Sequence, residues 1–210
     1  MQISCDERRS QTLPCARLCC PAVLPDISEL LQSTCTIRIP YESVFVMALK
    51  LILMRHAKSS WDQLVGDHER ALNNRGYSSA RTMGVWLKRC GHLPQEALVS
   101  NARRTRDTFY ELGITTKNVE FLSSLYHPST HNLLSALRSA TAPSVILISH
   151  NPGVTELAGL LAKHPPSHDR FYDFPTCATW VGAFDIDFWK DLHFKTGNTL
   201  EFAIPREIAP

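Results

Sequence analysis

The chain has 210 residues, of which 44% are apolar and 20% charged, with a formal net charge of +2 and a pI near 8.2. This composition is typical of a globular protein with a sizeable core and argues against a wholly disordered chain. The small, dispersed charge argues against a nucleic-acid partner, which usually requires a basic stripe or patch. No apolar run reaches the ~18 residues that cross a bilayer, so we predict a soluble protein without a membrane partner.

The first 46 residues differ in character from the rest of the chain. They mix Cys, Pro and Arg without a sustained hydrophobic period, and they contain five of the seven cysteines. We predict that residues 1–46 form a poorly structured N-terminal extension, and Met47 is a candidate for the biological start. Residues 47–210 then form the one main folded domain. Its few cysteines are typical of a reducing compartment and favour a cytoplasmic location.

Predicted strands and helices alternate along residues 47–210. A short apolar strand ends at Met54, and helix periodicity follows in Gly76–Leu87. The remaining elements are strand Ala97–Ser100, helix Thr105–Leu112, strand Val119–Leu122, helix Thr130–Leu137, strand Ser144–Ser149, helix Thr155–Leu161 and two late strands in 178–186 and 199–204. This order predicts an α/β fold with three layers, α/β/α, in which helices flank a mainly parallel central sheet.

Cationic and imidazole side chains follow three of these strands. Arg55 and His56 follow the first strand, Arg103 and Arg104 come shortly after the second, and His150 follows the fourth. Because ligands of parallel α/β sheets bind at the carboxyl ends of the strands, we expect these groups to meet at one edge. A set of arginines and histidines with almost no carboxylate among them predicts a pocket that binds a compact dianion, since guanidinium groups bind phosphate oxygens bidentately.

Three sequence motifs resemble those of the histidine phosphatase superfamily. They are Leu-Met-Arg-His-Ala-Lys at 53–58, Ser-Asn-Ala-Arg-Arg-Thr-Arg-Asp-Thr at 100–108 and Val-Ile-Leu-Ile-Ser-His-Asn-Pro at 145–152. With a further match at 67–76, the chain is most similar to the SixA-like phosphohistidine phosphatases. The resemblance covers roughly residues 49–204. It implies a phosphoglycerate-mutase-like fold and a hydrolase that uses neither a cofactor nor a metal.

The resemblance also gives a role to four residues. It makes His56 the nucleophile, which forms a phosphohistidine intermediate. Arg55 and Arg104 bind the phosphate, and His150 is a second imidazole that contacts it. For attack His56 must be neutral, so we predict that a backbone acceptor holds one of its ring nitrogens. A protonated His150 and the two arginines then stabilise the transition state, whose charge lies on the equatorial oxygens.

The residues after the third strand bear on the substrate. In the phosphoglycerate-mutase-like branch a glutamate there protonates the leaving oxygen, whereas Ser123–Pro128 contains no carboxylate. A phosphohistidine imidazole has less need of such an acid, which favours a phosphorylated protein, such as a histidine phosphotransfer domain, over a small phosphate ester. His127 is a candidate for the acid. Asp67 and Arg70 are candidates for the pocket entrance or for a structural pair.

Two alternative functions remain open besides that of a protein phosphatase. The same chemistry suits a small-molecule phosphomonoester phosphatase, and the same pocket suits a phosphate-binding module with weak catalysis. The two predicted active-site histidines argue against the binding module, because binding alone requires neither a nucleophile nor its partner. Two pairs of histidines have the i,i+4 spacing of metal ligands, but prolines interrupt both segments, His127/His131 and His164/His168.

Overall fold

The structure, a computed structural model, describes residues 48–62 and 64–208. The prediction of an extension over residues 1–46 lies outside the described residues. The elements are β1 (Leu49–Arg55), α1 (Asn74–Arg89), β2 (Glu96–Ser100), α2 (Arg103–Glu111), β3 (Asn118–Leu122), α3 (Thr130–Arg138), β4 (Ser144–Ser149), α4 (Gly153–Leu161), β5 (Thr179–Phe184), β6 (Asn198–Ala203) and α5 (Pro205–Ile208). Short 3-10 turns cover Asp67–Glu69, Ser123–Leu125 and Trp189–Asp191.

The six strands form one sheet in the order β3-β2-β4-β1-β5-β6. Strands β1 to β4 run in parallel, whereas β5 is antiparallel to β1 and β6 is antiparallel to β5. Strand β6 therefore runs in the direction of β1, and β5 is the one reversed strand in the described part of the chain. The prediction of an α/β fold with a mainly parallel sheet is confirmed.

Successive residues of β1 point into two separate cores. Leu51 and Leu53 pack with residues of α3 and α4 on one face, while Ile52 and Met54 pack with residues of α1 and α2 on the other. All four side chains are fully buried. A strand covered on both faces has no polar side to alternate with, which explains the continuous apolar run. The predicted three layers are therefore confirmed.

Helix α1 begins at a side-chain cap and packs closely on the end of α2. The Asn73 side chain accepts a hydrogen bond from the Gly76 amide at 2.9 Å, which satisfies one of the free amides of the first turn. Gly84 weakens the helix locally, but a Cβ there would lie only 1.9 Å from the Leu112 carbonyl oxygen. This glycine is therefore required for the close approach of α1 to the residue after α2. Among the described residues no helix is long and apolar enough to span a membrane.

Candidate active site

The carboxyl ends of β1 and β4 bring two histidines together. Because the two strands pair in parallel with Arg55 opposite Ser149, His56 and His150 follow at the same edge of the sheet. The His56 amide donates to the Ser149 carbonyl oxygen at 3.0 Å. The centroids of the two imidazole rings are 4.9 Å apart. Residues separated by more than ninety positions in the chain therefore share one site.

The His56 ring is held in one tautomer by its own backbone. Its Nδ1 lies 2.7 Å from the Ala57 carbonyl oxygen. Since a carbonyl oxygen only accepts, Nδ1 carries the proton and Nε2 keeps its lone pair. Burial, followed by the charges of Arg104 and Arg55, lowers the pKa of His56 to about 3. The neutral ring and the backbone acceptor predicted from the sequence are therefore both present.

His150 is also neutral in the free protein, and its protonation during phosphoryl transfer stays a prediction. The residue is 2% exposed, and burial, followed by the neighbouring His56 and Arg104, lowers its pKa to about 2. Its Nε2 lies 2.8 Å from the Ser100 hydroxyl, and Nδ1 has no partner among the described residues. Ser100 Oγ also accepts from the Ala102 amide at 3.5 Å, and among the described residues His150 Nε2 is the one acceptor within hydrogen-bond distance of the Ser100 hydroxyl, so we infer that Ser100 donates to it. The ring then carries its proton on Nδ1, as a neutral hydrogen-bond donor.

Two arginine side chains lie close enough to the imidazole pair to lower the pKa of His56. Arg104 lies in the first turn of α2, is 3% exposed, and is held by two hydrogen bonds to Asp67. Arg55, at the end of β1, donates from Nη1 to the Phe174 carbonyl oxygen at 2.9 Å, and its buried Nε has no partner among the described residues. Burial lowers the pKa of Arg55. The two arginines are the charged groups with the largest effect on His56.

The Asp67 carboxylate joins four side chains around the site. Its Oδ1 accepts from Arg70 Nη1 at 2.8 Å. Its Oδ2 accepts from Arg104 Nη2 at 3.0 Å and from the Tyr126 hydroxyl at 2.7 Å, with His127 Nε2 at 3.4 Å. The Tyr126 hydrogen bond, followed by those of Arg70 and Arg104, holds the pKa of Asp67 well below its usual range. Asp67 therefore stays ionised and compensates the buried arginines.

His127, the candidate acid, lies beside the two central imidazoles. Its ring stacks on His150 with centroids 5.7 Å apart, and its side chain is 59% exposed. A positive φ of 46° turns its backbone at this point. Close packing fixes the segment, because a Cβ at Gly153 would lie 2.6 Å from the Pro128 carbonyl oxygen. The segment Ser123–Pro128 has no carboxylate of its own, but Asp67 brings one to it from another loop.

Sequence reasoning missed Ser100 and Tyr126, which orient His150 and Asp67 respectively. Ser100 had one signal, because it ends a strand that points to the edge where His150 lies. Tyr126 had no signal beyond its place next to His127. Arg103, the neighbour of Arg104, is exposed and pairs with Asp107 at 3.8 Å. In the part of the chain that the structure describes, no cluster of three or more His, Cys, Asp or Glu side chains is arranged to hold a metal ion.

Comparisons with known proteins bear on the same residues. Residues 51–125 match the model of the histidine phosphatase superfamily (branch 1). An uncharacterized chloroplastic protein of Arabidopsis thaliana is 34% identical over 128 residues, which are 54% of this chain and 59% of the relative. The match thus spans less than two thirds of that relative.

Two solved structures resemble the whole described domain. A chain assigned as phosphohistidine phosphatase SixA of Nakamurella multipartitia is 27% identical with a TM-score of 0.67, and the match covers 75% of this chain and 96% of that one. The protein histidine phosphatase SixA complexed with tungstate is 25% identical with a TM-score of 0.63, and the match covers 76% and 99% of the two chains. Both matches cover far more of the chain than the family model does.

Proposed function

Because the chain belongs to the histidine phosphatase superfamily, we propose that it is a phosphatase that passes a phosphoryl group through His56 to water. The observation that carries the proposal is the state of the His56 ring. Its Nδ1 donates to the Ala57 carbonyl oxygen, so Nε2 is a neutral nucleophile. The centroid of the His56 ring lies 4.9 Å from that of a second imidazole, His150. A binding module has no need of a nucleophile prepared in this way.

In the first step Nε2 of His56 attacks phosphorus. A P–N bond forms to Nε2 while the bond from phosphorus to the leaving group breaks, and the electron pair of that bond goes to the leaving group. Charge develops on the equatorial oxygens, where Arg55 and Arg104 act as preorganised cations. His150, neutral in the free protein, contributes as a hydrogen-bond donor through Nδ1.

In the second step water replaces the imidazole. A P–O bond forms to water, the P–N bond to His56 breaks with its electron pair returning to Nε2, and both protons of the water stay with the phosphate, which leaves as dihydrogen phosphate. His56 then returns to its neutral tautomer, because the Ala57 carbonyl oxygen still holds Nδ1. The residues that carry these steps need no metal or cofactor in the proposed mechanism. A cytoplasmic location is part of the proposal and is based on the few cysteines of the domain.

We propose phosphohistidine in a protein as the substrate, as in a histidine phosphotransfer domain. Asp67 brings a carboxylate into contact with Tyr126 and His127, in the segment where the acid is expected, but its lowered pKa keeps it from giving a proton at neutral pH. A phosphoimidazole can leave as a neutral ring once its distal nitrogen takes a proton from solvent. A phosphate ester leaves as an alkoxide and needs a positioned acid.

A small phosphate ester is the second candidate, favoured by the place of His127. This ring stacks on His150 and is largely exposed, so it can take a proton from solvent and pass it to a leaving oxygen. In that case His127 is the acid. The two candidates differ in whether turnover of an ester depends on His127.

The test compares rates on a phosphohistidine peptide and on glycerol 2-phosphate, an alkyl ester whose leaving group needs a positioned acid. We expect His56→Ala to lower both rates by at least about 1,000-fold, since it removes the nucleophile. His193→Ala, at an exposed histidine outside the site, is the matched control and should keep the wild-type rates. Activity that survives His56→Ala would refute the mechanism, and a faster rate on the ester would refute phosphohistidine as the substrate.

A further inference from the structure

A cleft of about 430 Å³ lies between helix α1 and the segments before β5 and after β6, and we call it the arginine cleft. Three segments form it: the first turns of α1, the segment before β5 and the residues after β6. The side chains that define its chemistry are Arg75, Ser79, Thr82, Arg170, Thr176 and Arg206. No residue used in the proposed mechanism lines this cleft.

The arginine cleft lies at the same edge of the sheet as His56. Helix α1 begins at this edge, because it follows the loop that leaves the end of β1. Strand β5 is antiparallel to β1, so the segment that precedes it lies here, and β6 runs with β1, so the residues that follow it end here too. A ligand in the cleft is therefore on the side of the molecule from which phosphate reaches His56.

Both walls of the cleft contact the loop that carries the nucleophile. A Cβ at Gly76 would lie 2.1 Å from the Lys58 carbonyl oxygen, so the first turn of α1 packs directly on the residue two positions after His56. On the other wall the Cys177 amide donates to the carbonyl oxygens of Arg55 and His56, both at 3.1 Å. The neighbours in sequence of Arg75 and Thr176, two residues that line the cleft, are thus in direct contact with the loop that carries His56.

The cleft is rich in cations and hydroxyl groups. Its lining contains three arginines and four hydroxyl side chains but no carboxylate. Arg170 donates from Nε to Asp173 at 2.7 Å, which compensates part of its charge. Arg75 and Arg206 are exposed and form no hydrogen bond or ion pair within residues 48–62 and 64–208. Two guanidinium groups are therefore free to bind an anion.

We propose that the arginine cleft binds acidic side chains next to the phosphorylated residue of a protein substrate. The proposal rests on the proposed phosphatase function and deepens it, because it names the feature of the substrate that is recognised. Guanidinium groups bind carboxylates bidentately. Because the three arginines lie on three separate segments, they match a ligand with several separated carboxylates better than one compact anion. Opposite charges on the two partners also speed their association.

The test uses Arg75→Gln/Arg206→Gln and two phosphohistidine peptides, one flanked by Asp and Glu and the other by Asn and Gln. The wild type should have a lower KM for the acidic peptide. The variant should lose about 10-fold in kcat/KM on the acidic peptide relative to the neutral one, since two exposed ion pairs together contribute about 1.4 kcal/mol. The loss should appear in KM rather than in kcat.

Arg89→Gln/Lys163→Gln is the matched control, with the same change of charge at two exposed residues near the ends of α1 and α4, at the opposite edge of the sheet. It should keep the preference for the acidic peptide. An equal loss in both double variants, or no preference in the wild type, would overturn the proposal. A preference for a small bisphosphate over a monophosphate that Arg75→Gln/Arg206→Gln abolishes would also overturn it, since the cleft would then bind a second phosphate.

A binding measurement separates this proposal from the proposed function. The acidic peptide without phosphate is titrated into the full chain by calorimetry, which needs no turnover. Binding that is weaker by about 10-fold in Arg75→Gln/Arg206→Gln supports the cleft even if His56 proves not to be the nucleophile. Equal affinity of the variant and the wild type for this peptide refutes the cleft while leaving the phosphatase mechanism intact.

Discussion

Arg104 donates to Asp67 with both terminal nitrogens, from Nη1 to the backbone carbonyl oxygen at 2.6 Å and from Nη2 to Oδ2 at 3.0 Å. The same carboxylate accepts from Arg70 and Tyr126. A planar guanidinium held at two points has a fixed orientation, which a single contact does not give. Asp67 is therefore a positioning residue for the arginine that we propose to bind phosphate.

Replacing Asp67 should weaken phosphate binding through Arg104. We expect Asp67→Asn to lower kcat/KM by about 10- to 100-fold, because a hydrogen bond to a buried charged group contributes about 1.5–3 kcal/mol. Asp62→Asn, in the same loop but hydrogen-bonded to Ser60 and to no arginine, is the control and should have little effect. In the Arg104→Ala background Asp67→Asn should cost much less, and a double-mutant cycle measures the difference. Additive effects would contradict the positioning role.

Ser100 should decide which nitrogen of His150 carries the proton. Because its hydroxyl lies 2.8 Å from Nε2, we expect nitrogen NMR to find the wild-type ring protonated on Nδ1. Ser100→Ala should shift the ring towards the other tautomer and lower kcat by about 10-fold, the effect of losing one neutral hydrogen bond. Ser144→Ala, at the start of β4, is the control. An unchanged tautomer in Ser100→Ala would contradict this role.

The two central histidines should make the fold sensitive to acid. Their folded-state pKa values are about 3 and about 2, below the ~6.5 of an unfolded histidine. Between these limits the unfolded chain binds more protons, so the free energy of unfolding falls as the pH drops, by up to about 1.4 kcal/mol per unit for each histidine. The free energy of unfolding, measured by urea denaturation at pH values from 7 to 4, should depend less steeply on pH in His56→Asn/His150→Asn than in the wild type. Equal slopes would contradict the buried neutral state.

Gly76 should be intolerant of any side chain. A Cβ there meets the Lys58 carbonyl oxygen at 2.1 Å, and backbone cannot move aside as a flexible side chain does. We expect Gly76→Ala to lower the free energy of unfolding by about 1–3 kcal/mol and to reduce activity, because the strain falls on the loop after His56. Gly66→Ala, where a Cβ would meet nothing within 4 Å, should be neutral in thermal melting. Similar melting of the two variants would contradict this packing.

The meeting of His56 and His150 could be predicted from the sequence for a simple reason. Each follows a continuous apolar run, and parallel strands that are buried on both faces end together at one edge. The reversed direction of β5 could not be predicted in this way, because an apolar strand carries no signal of its direction. That direction matters, since it places the segment before β5, which lines the arginine cleft, at the same edge of the sheet as His56.

The contacts of Asp67 could not be predicted from the sequence, since Tyr126, one of its partners, is 59 positions away along the chain. Their meeting depends on the path of the loop before α1, which close packing at Gly76 helps to fix. The low pKa of His150 in the free protein could not be predicted from the sequence, because it depends on burial and on neighbouring groups that only the folded chain supplies.

The most direct measurement of the central claim is a rapid quench of the enzyme with radiolabelled phosphohistidine peptide, followed by mapping of the label. We expect acid-labile, alkali-stable phosphate on His56 within the first turnover, with none on His56→Ala or on denatured wild type. His150→Asn should still form some labelled enzyme, because its ring binds phosphate and does not attack it. Turnover without label on His56, or label on another residue of the active wild type, would contradict the mechanism.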